Sequence, residues 1–509
     1  MSEPVKEGRV YLVGAGPGAL DLVTLRAHEL IKRADVIVYD YLVNATMLER
    51  ARPTAEIIYV GKTASAHTLT QEEINALMVE KARAGKLVVR LKGGDPYVFG
   101  RGGEEGIALA QAGIRFEVVP GVTSAIAAAS YAGIPVTHRN VASQVTFITG
   151  HEDPTKPESA IDWAQLARLN GTKVFLMGIE RLRDIAAQLL AHGAAADTPV
   201  ALVRWGTTAR QETLTGTLAT IADLAAKQNF KPPAVTIIGE VVNLRPELNW
   251  FEKLPLFGQR VVVTRARRQA GRLRRMLARL GADVLEIPTI RISRARLPEE
   301  QQARLLAIGQ FFDWIVFSSP NGVDRFFDEM SSACIDVRAL GAMKIASLGP
   351  ATSAYIQARG LCIDLQPEIF TKEALAAAFN RIEVKGKRFC LVQGNLADPG
   401  LADYLTSRGA IVEPWIFYNT EPETTDVSGA RARFLQEGAH WIAFTSASTV
   451  ENWHRLALKP ATGAPVPRVI SMGPITSDAL KKLGYEIAAE SESAALESLI
   501  ATIRRLNIG

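Results

Sequence analysis

Short apolar runs bounded by turn residues, each followed by a helical pattern, recur along the chain, and this alternation restricts the possible fold more than any other feature. Residues 10–13 precede a helical stretch over 25–31, and apolar runs at 36–39, 87–91, 145–149, 174–177, 200–203 and 235–238 follow. Strands of this length separated by helices predict α/β layers around largely parallel sheets. A chain of 509 residues cannot wrap one core, because single cores stop growing at roughly 250–300 residues. The periodicity breaks between Val241 and Gln259, where two prolines precede a new strand at 260–264. The main boundary is placed there. It gives a first unit over 1–250, with lobes of about 8–137 and 138–245, a linker at 251–258 and a second unit over 259–509.

The second unit echoes itself. Residues 261–265 (VVVTR) are answered by 389–394 (FCLVQG), 317–322 (FSSPNG) by 444–449 (FTSAST), and 349–353 (GPATS) by 473–477 (GPITS), at offsets of 124–128 residues. Three echoes in one order predict two related α/β lobes facing each other across a cleft. Each echoed element ends a strand in Ser, Thr or Gly where a helix begins, which presents hydroxyls and free N–H groups suited to carboxylates.

Composition narrows the function class. With 48% hydrophobic and 22% charged residues the chain is of the ordinary globular kind. Its net charge of +5 is spread over 58 basic and 53 acidic residues, so no nucleic-acid partner is implied. The densest basic stretch, Arg265, Arg267, Arg268, Arg272, Arg274, Arg275 and Arg279, suits either an acidic small molecule or a solvated helix face. Three cysteines without C-x-x-C spacing point to neither disulfides nor zinc, and a cytoplasmic setting is expected. Residues 118–137 carry no charge, but Pro120, Gly121, Gly133 and Pro135 punctuate them. A loop and a small-residue helix are expected there, not a membrane span.

Residues 11–18 (YLVGAGPG) run a strand into a glycine turn spaced G-x-G-x-G, which departs from the G-x-G-x-x-G of nicotinamide-binding oxidoreductases. A ligand or another backbone is expected close to that strand end. Residues 90–105 (RLKGGDPYVFGRGGEE) hold five glycines. Each glycine loses much conformational freedom on folding, so something is expected to lie against that backbone. Further blocks stand at 38–43 (VYDYLV), 59–62 (YVGK), 120–125 (PGVTSA) and 149–151 (TGH).

These blocks, in this order, resemble the tetrapyrrole methylase family, and within it the uroporphyrinogen-III C-methyltransferases, over about residues 8–250. The resemblance implies two α/β lobes that hold S-adenosylmethionine between them, and a homodimer formed through this half. By position it assigns Pro17, Gly93, Gly94, Asp95, Val98, Thr123, Ser124, Met177 and Gly206 to the methyl donor, Asp40 as proton acceptor and Lys62 as proton donor. On the residues alone, Asp40 reads as a helix cap and Lys62 as half of a surface ion pair. Ala19 stands where the family often has Asp, and Arg204–Trp205 before Gly206 is an unexpected pairing. Other branches of this fold methylate later corrinoids, diphthamide precursors or ribosomal RNA.

From about residue 257 the chain resembles uroporphyrinogen-III synthase. The resemblance rests on Thr264–Arg265, the 317–322 block, the two Gly-Pro-x-Thr-Ser elements, Tyr418 before Asn419–Thr420, and the 444–446 block. It implies two lobes, lobe one of about 259–290 with 424–509 and lobe two of about 291–423, that clasp hydroxymethylbilane, a linear tetrapyrrole rich in carboxylates, and close it with inversion of the last ring. Arg265, Ser318, Ser319, Thr352, Thr445, Ser446 and Thr476 would bind substrate, Tyr418 would assist departure of the hydroxyl, and no metal is expected. The same hydroxyls are expected to cap helices. Gln393 replaces a frequent arginine, which leaves open a half that only binds tetrapyrrole or regulates. The combined expectation is a bifunctional enzyme. Its second half makes uroporphyrinogen III and its first half methylates it twice to precorrin-2, for sirohaem or cobalamin.

Overall fold

The computed structural model describes residues 8–61, 69–151, 160–264, 267–423, 425–426, 428–493 and 495–508. Strands β1 (Arg9–Gly14), β2 (Val36–Tyr39), β3 (Glu56–Tyr59), β4 (Leu87–Lys92) and β5 (Phe116–Val119) form a parallel sheet in the order β3-β2-β4-β1-β5. β1 and β2 are largely apolar because both faces of the sheet are covered, while the central β4 carries the buried Arg90 and Lys92. Tyr11 and Val13 face a core with Leu30 and Ile31 of the helix Leu25–Arg33, while Val10 and Leu12 face one with Ile74 and Met78 of the helix Gln71–Arg83. Thr24 caps the first helix, and Thr70 with Glu73 forms a capping box on the second.

The next sheet departs from the parallel expectation. Strands β6 (Val145–Thr149), β7 (Thr172–Leu176), β8 (Pro199–Arg204), β9 (Glu212–Thr217) and β10 (Ala234–Ile238) lie in the order β6-β7-β10-β8-β9. Only β6 and β7 run parallel; β10 is antiparallel to β7 and β8, and β8 to β9. Residues 205–211 join β8 to β9, too few for the crossover of a dozen or more that a parallel pair requires. The charge-free window holds the helix Ser124–Tyr131, whose Ala125, Ala127, Ala128 and Ala129 are buried. It packs on Val174, Val203 and Val235 of this second sheet.

The stretch expected as a linker is packed. Glu252 accepts from Gln211 Nε2 at 2.8 Å, Thr213 Oγ1 at 2.6 Å and Arg245 Nη2 at 2.5 Å. Phe251 stacks edge-on against Tyr131, and Leu256 N–H donates to Leu280 O at 2.8 Å inside the following core.

Two more sheets complete the chain. Strands β11 (Arg260–Val263) and β12 (Asp283–Glu286) pair in one sheet, after which the chain passes through β13 (Ile290–Arg294), β14 (Trp314–Phe317), β15 (Lys344–Ser347), β16 (Arg388–Gly394) and β17 (Ile411–Pro422) in the other. It returns to the first as β18 (Trp441–Phe444), β19 (Arg468–Ser471) and β20 (Ile487–Glu490). The orders are β12-β11-β18-β19-β20 and β13-β17-β16-β14-β15, with only β13–β17 antiparallel. Buried hydroxyl relays repeat with the sequence echo. Ser347 and Ser353 hydroxyls lie 2.6 Å apart and Ser353 reaches Gln366 at 2.5 Å; Ser471 and Ser477 lie 2.6 Å apart and Ser477 reaches Glu490. In the basic stretch, Arg272 pairs with Glu497 at 2.7 Å and Arg274 with Glu286 at 2.5 Å.

Candidate active sites

In the first half, the ends of β1 and β4 and the loop after β5 meet backbone to backbone. Gly16 N–H donates to Gly94 O at 3.1 Å, and Gly94 N–H to Gly16 O at 2.7 Å. A Cβ on Gly121 would lie 2.2 Å from Gly94 O, and one on Gly14 2.5 Å from Gly121. These glycines therefore serve neighbouring main chain. Gly100 and Gly102 turn tightly round Pro96 O, and Gly93 lies against Leu42. Gly94 is different: its φ is +68° and the nearest atoms to an added Cβ, on Thr123 and Ser124, are 3.8 Å away. An added Cβ there would make only van der Waals contact with the start of the helix Ser124–Tyr131, which Thr123 caps.

The two lobes close on this place. Asp95 is held through both carboxylate oxygens, accepting from Tyr97 N–H at 2.8 Å and Gly121 N–H at 3.0 Å. Beside Pro17, Gly18 O accepts from Asn44 Nδ2 at 2.9 Å, and Ala19 N–H donates across to Thr207 Oγ1 at 3.1 Å. A Cβ on Gly206 would lie 2.5 Å from the Ala128 Cβ, so only glycine lets that loop settle on the small-residue helix. Met177, Trp205 and Thr207 take positive φ at strand ends, a backbone conformation that clusters at functional sites. Val98 is half-buried in the turn after Asp95, and Met177 is exposed.

Asp40 follows β2. Its Oδ1 accepts from Leu42 N–H at 3.2 Å and its Oδ2 from Arg90 Nη2 at 3.3 Å. Behind it lies a buried group that the sequence reading missed. Glu105 Oε1 receives Arg90 Nε at 3.0 Å, Lys92 Nζ at 2.8 Å and Gln71 Nε2 at 3.3 Å. Burial, with the Arg90 charge, pushes the Lys92 ammonium below its ordinary value. The available signal was two cations two residues apart in a central strand, which places both on one face. Lys62 lies outside the described residues.

In the second half, Ser318, Ser319 and Tyr418 line one cavity of about 270 Å³. Ser319 caps the helix Pro320–Ser332, accepting from Gly322 N–H at 3.1 Å, and its hydroxyl lies 3.0 Å from that of Tyr418. A register shift at Gln393–Gly394 opposite Tyr418 re-aims the tyrosine. A Cβ on Gly394 would fall 2.4 Å from the Tyr418 ring, so that ring requires the glycine. Burial pushes the Tyr418 phenol up, against a smaller opposing effect of Ser319.

A family model described as tetrapyrrole (corrin/porphyrin) methylases matches residues 9–222, and one described as uroporphyrinogen-III synthase HemD matches 271–501. A protein named porphyrin biosynthesis protein HemD, from Ruminiclostridium josui, is 37% identical over 510 residues, covering 99% of each chain. The chain belongs to the methylase–synthase fusions of tetrapyrrole biosynthesis. An S-adenosyl-L-methionine-dependent uroporphyrinogen III methyltransferase of Methanosarcina barkeri is 58% identical over 47% of this fusion and 93% of its own length. A uroporphyrinogen-III C-methyltransferase of Bacillus subtilis is 43% identical over 72% of this chain and 74% of its own.

Four of the other residues expected to bind substrate in the second half, Thr352, Thr445, Ser446 and Thr476, do not line the cavity of Tyr418. Ser446 caps the helix Ala447–Leu456 with Thr445 just before it, and Thr352 and Thr476 are buried in the first turns of the helices Pro350–Gln357 and Pro474–Lys482. Arg265 is outside the described residues. Lys372, absent from the sequence reading, lines the cavity. Among the described residues no helix is long and apolar enough to cross a membrane.

Proposed function

We propose that the second half closes hydroxymethylbilane to uroporphyrinogen III and that the first half methylates this product twice with S-adenosylmethionine, giving precorrin-2 for sirohaem or cobalamin. A homodimer through the methylase half and a cytoplasmic location belong to the same reading. The observation that carries it is the pairing, in one chain, of a Gly94 recess at a capped helix start with a Tyr418–Ser319 cavity. The recess fits the methyl donor because Gly94, at φ +68°, turns the chain beside Thr123 and Ser124, whose nearest atoms stay 3.8 Å from an added Cβ. Pro17, Gly93, Gly94, Asp95, Val98, Thr123, Ser124, Met177 and Gly206 would hold it, and when bound it supplies an electrophilic methyl group.

The protein's own contribution is position and proton handling. Asp40 is oriented through both oxygens, which retain lone pairs able to take the proton that leaves the tetrapyrrole. Lys62 is assigned the proton return. In the second half Tyr418, kept protonated by burial, donates towards the departing hydroxyl. Arg265, Ser318, Ser319, Thr352, Thr445, Ser446 and Thr476 then confine the bilane to one conformation.

Incubating the chain with hydroxymethylbilane and S-adenosylmethionine should yield precorrin-2. Asp40→Ala should slow methylation by about 10²–10⁴-fold and leave uroporphyrinogen III accumulating. Loss of both activities in a folded variant would overturn two independent sites. A second reading, in which the synthase half only binds or regulates, rests on Gln393. It would be supported by a wild-type chain that methylates supplied uroporphyrinogen III and never consumes bilane.

A further inference from the structure

We propose that the Tyr418 cavity is a subsite for one carboxylate-bearing pyrrole ring and that Lys372 is the cation that fixes its carboxylate. This rests on the cyclisation reading above and assigns it a residue. At about 270 Å³ the cavity falls just below the roughly 300–1,000 Å³ of sites for drug-sized ligands. It accommodates one substituted ring and not a whole tetrapyrrole.

Three observations single out Lys372. First, it opens the helix Lys372–Ala378, where the positive end of the helix dipole disfavours a cation, so helix stability does not account for it. Second, the Lys372 ammonium has no hydrogen-bond or ion-pair partner among the described residues. The cavity's other charged lining residue, Asp398, is exposed and already accepts from Gly400 N–H at 2.6 Å. Third, the internal repeat supplies a control. The helix Leu496–Ile508 begins at the same 124-residue offset that relates Ser353 to Ser477 and Gln366 to Glu490. Lobe one starts that helix with Leu496, packed against its core. The fold therefore builds this corner without a cation, and lobe two puts one into a cavity.

The surroundings match an amphiphilic ring. Leu396 lines the cavity and is 73% exposed, and Phe370, two residues before Lys372, is 53% exposed against Gly349. Apolar side chains left in water at a cavity suit a pyrrole face. Ser318, Ser319 and the Tyr418 hydroxyl supply the polar side. Lys372 would also replace the positive charge that Gln393, on the same wall, does not carry.

Lys372→Met and Lys372→Arg test this in the full chain. A hydrogen bond to a charged group contributes about 1.5–3 kcal/mol, so Lys372→Met should raise the bilane KM by about tenfold or more. Its kcat should stay within about twofold, its KM should lose salt dependence, and more of the product should be the uninverted isomer. Lys372→Arg should restore most of the affinity. Unchanged KM, salt dependence and isomer ratio in a Lys372→Met protein that unfolds like wild type would overturn the subsite while leaving cyclisation intact. A wild-type chain that does not cyclise bilane removes both, and Tyr418→Phe separates the cases: it should lower kcat, whereas Lys372→Met should not.

Discussion

In the first half Asp40 hangs from a buried chain of charges, Arg90, Glu105 and Lys92, whereas in the second half Tyr418 and Ser319 meet in a cavity with Lys372 as its cation. The contrast follows from where each group sits. Arg90 and Lys92 lie on a central strand covered on both faces, so their charges must be neutralised inside the protein. Lys372, at a helix start on a cavity wall, is left for solvent or an anion. One network is neutralised by its own protein; the other leaves a cation facing a cavity.

The largest expected effect attacks the internal network. Glu105→Leu leaves two buried cations without their carboxylate, which should destabilise by about 3–5 kcal/mol. Hydrogen exchange should place the loss in the first sheet. Adding Lys92→Met should recover part of it. If Glu105→Leu unfolds at the wild-type temperature, the two halves do not differ in the way described.

A smaller effect concerns Asp283 in the second half, which accepts from Arg433 Nη1 and Arg260 Nε, each at 2.9 Å. Burial pushes its carboxyl up, but the Arg433 and Arg260 bonds outweigh burial and hold it below its ordinary value. The stabilisation is therefore complete above the ordinary aspartate pKa of about 3.9 and lost as pH falls through the lower folded value. Asp283→Asn should weaken the second half by about 1.5–3 kcal/mol at pH 7, with the gap to wild type closing in acid. Urea midpoints at both pH values measure this; an equal gap at each would show that the charge is not responsible.

The smallest effect sharpens the comparison within the second half. Ser319→Ala and Ser446→Ala each remove a helix cap and should each cost about 1 kcal/mol. Only Ser319→Ala should also slow cyclisation, because only Ser319 touches Tyr418. Equal slowing by both would place the chemistry between the lobes and not in the cavity of lobe two.

Legibility in the sequence followed locality. The glycine block at 90–105 and the turn at 14–18 stand out because the residues that must approach a neighbour are contiguous. Yet their partners were hidden: Gly14 and Gly121 make room for each other, whereas Gly94 lies at van der Waals distance from Thr123 and Ser124. The echoed strand ends were visible for the same reason, and the paired relays Ser347–Ser353 and Ser471–Ser477 lie inside them. Glu105 lies within the glycine block, but its role is not legible there, since it depends on Arg90 and Lys92 turning towards it. Lys372 carried no pattern at all, and the direction of β8, β9 and β10 could not be read from apolar runs that look alike either way round.

By itself the sequence determined the α/β elements, the doubling within the second half and the glycine- and hydroxyl-rich strand ends, because period, glycine content and turn residues act over a few neighbours. Only the tertiary structure decided which glycines meet backbone and which leave space, that 251–258 is packed between its neighbours, and that Tyr418 turns through a bulge over Gly394 to reach Ser319. Those outcomes depend on contacts between residues far apart in the chain, which come into being only when the sheets close upon their helices.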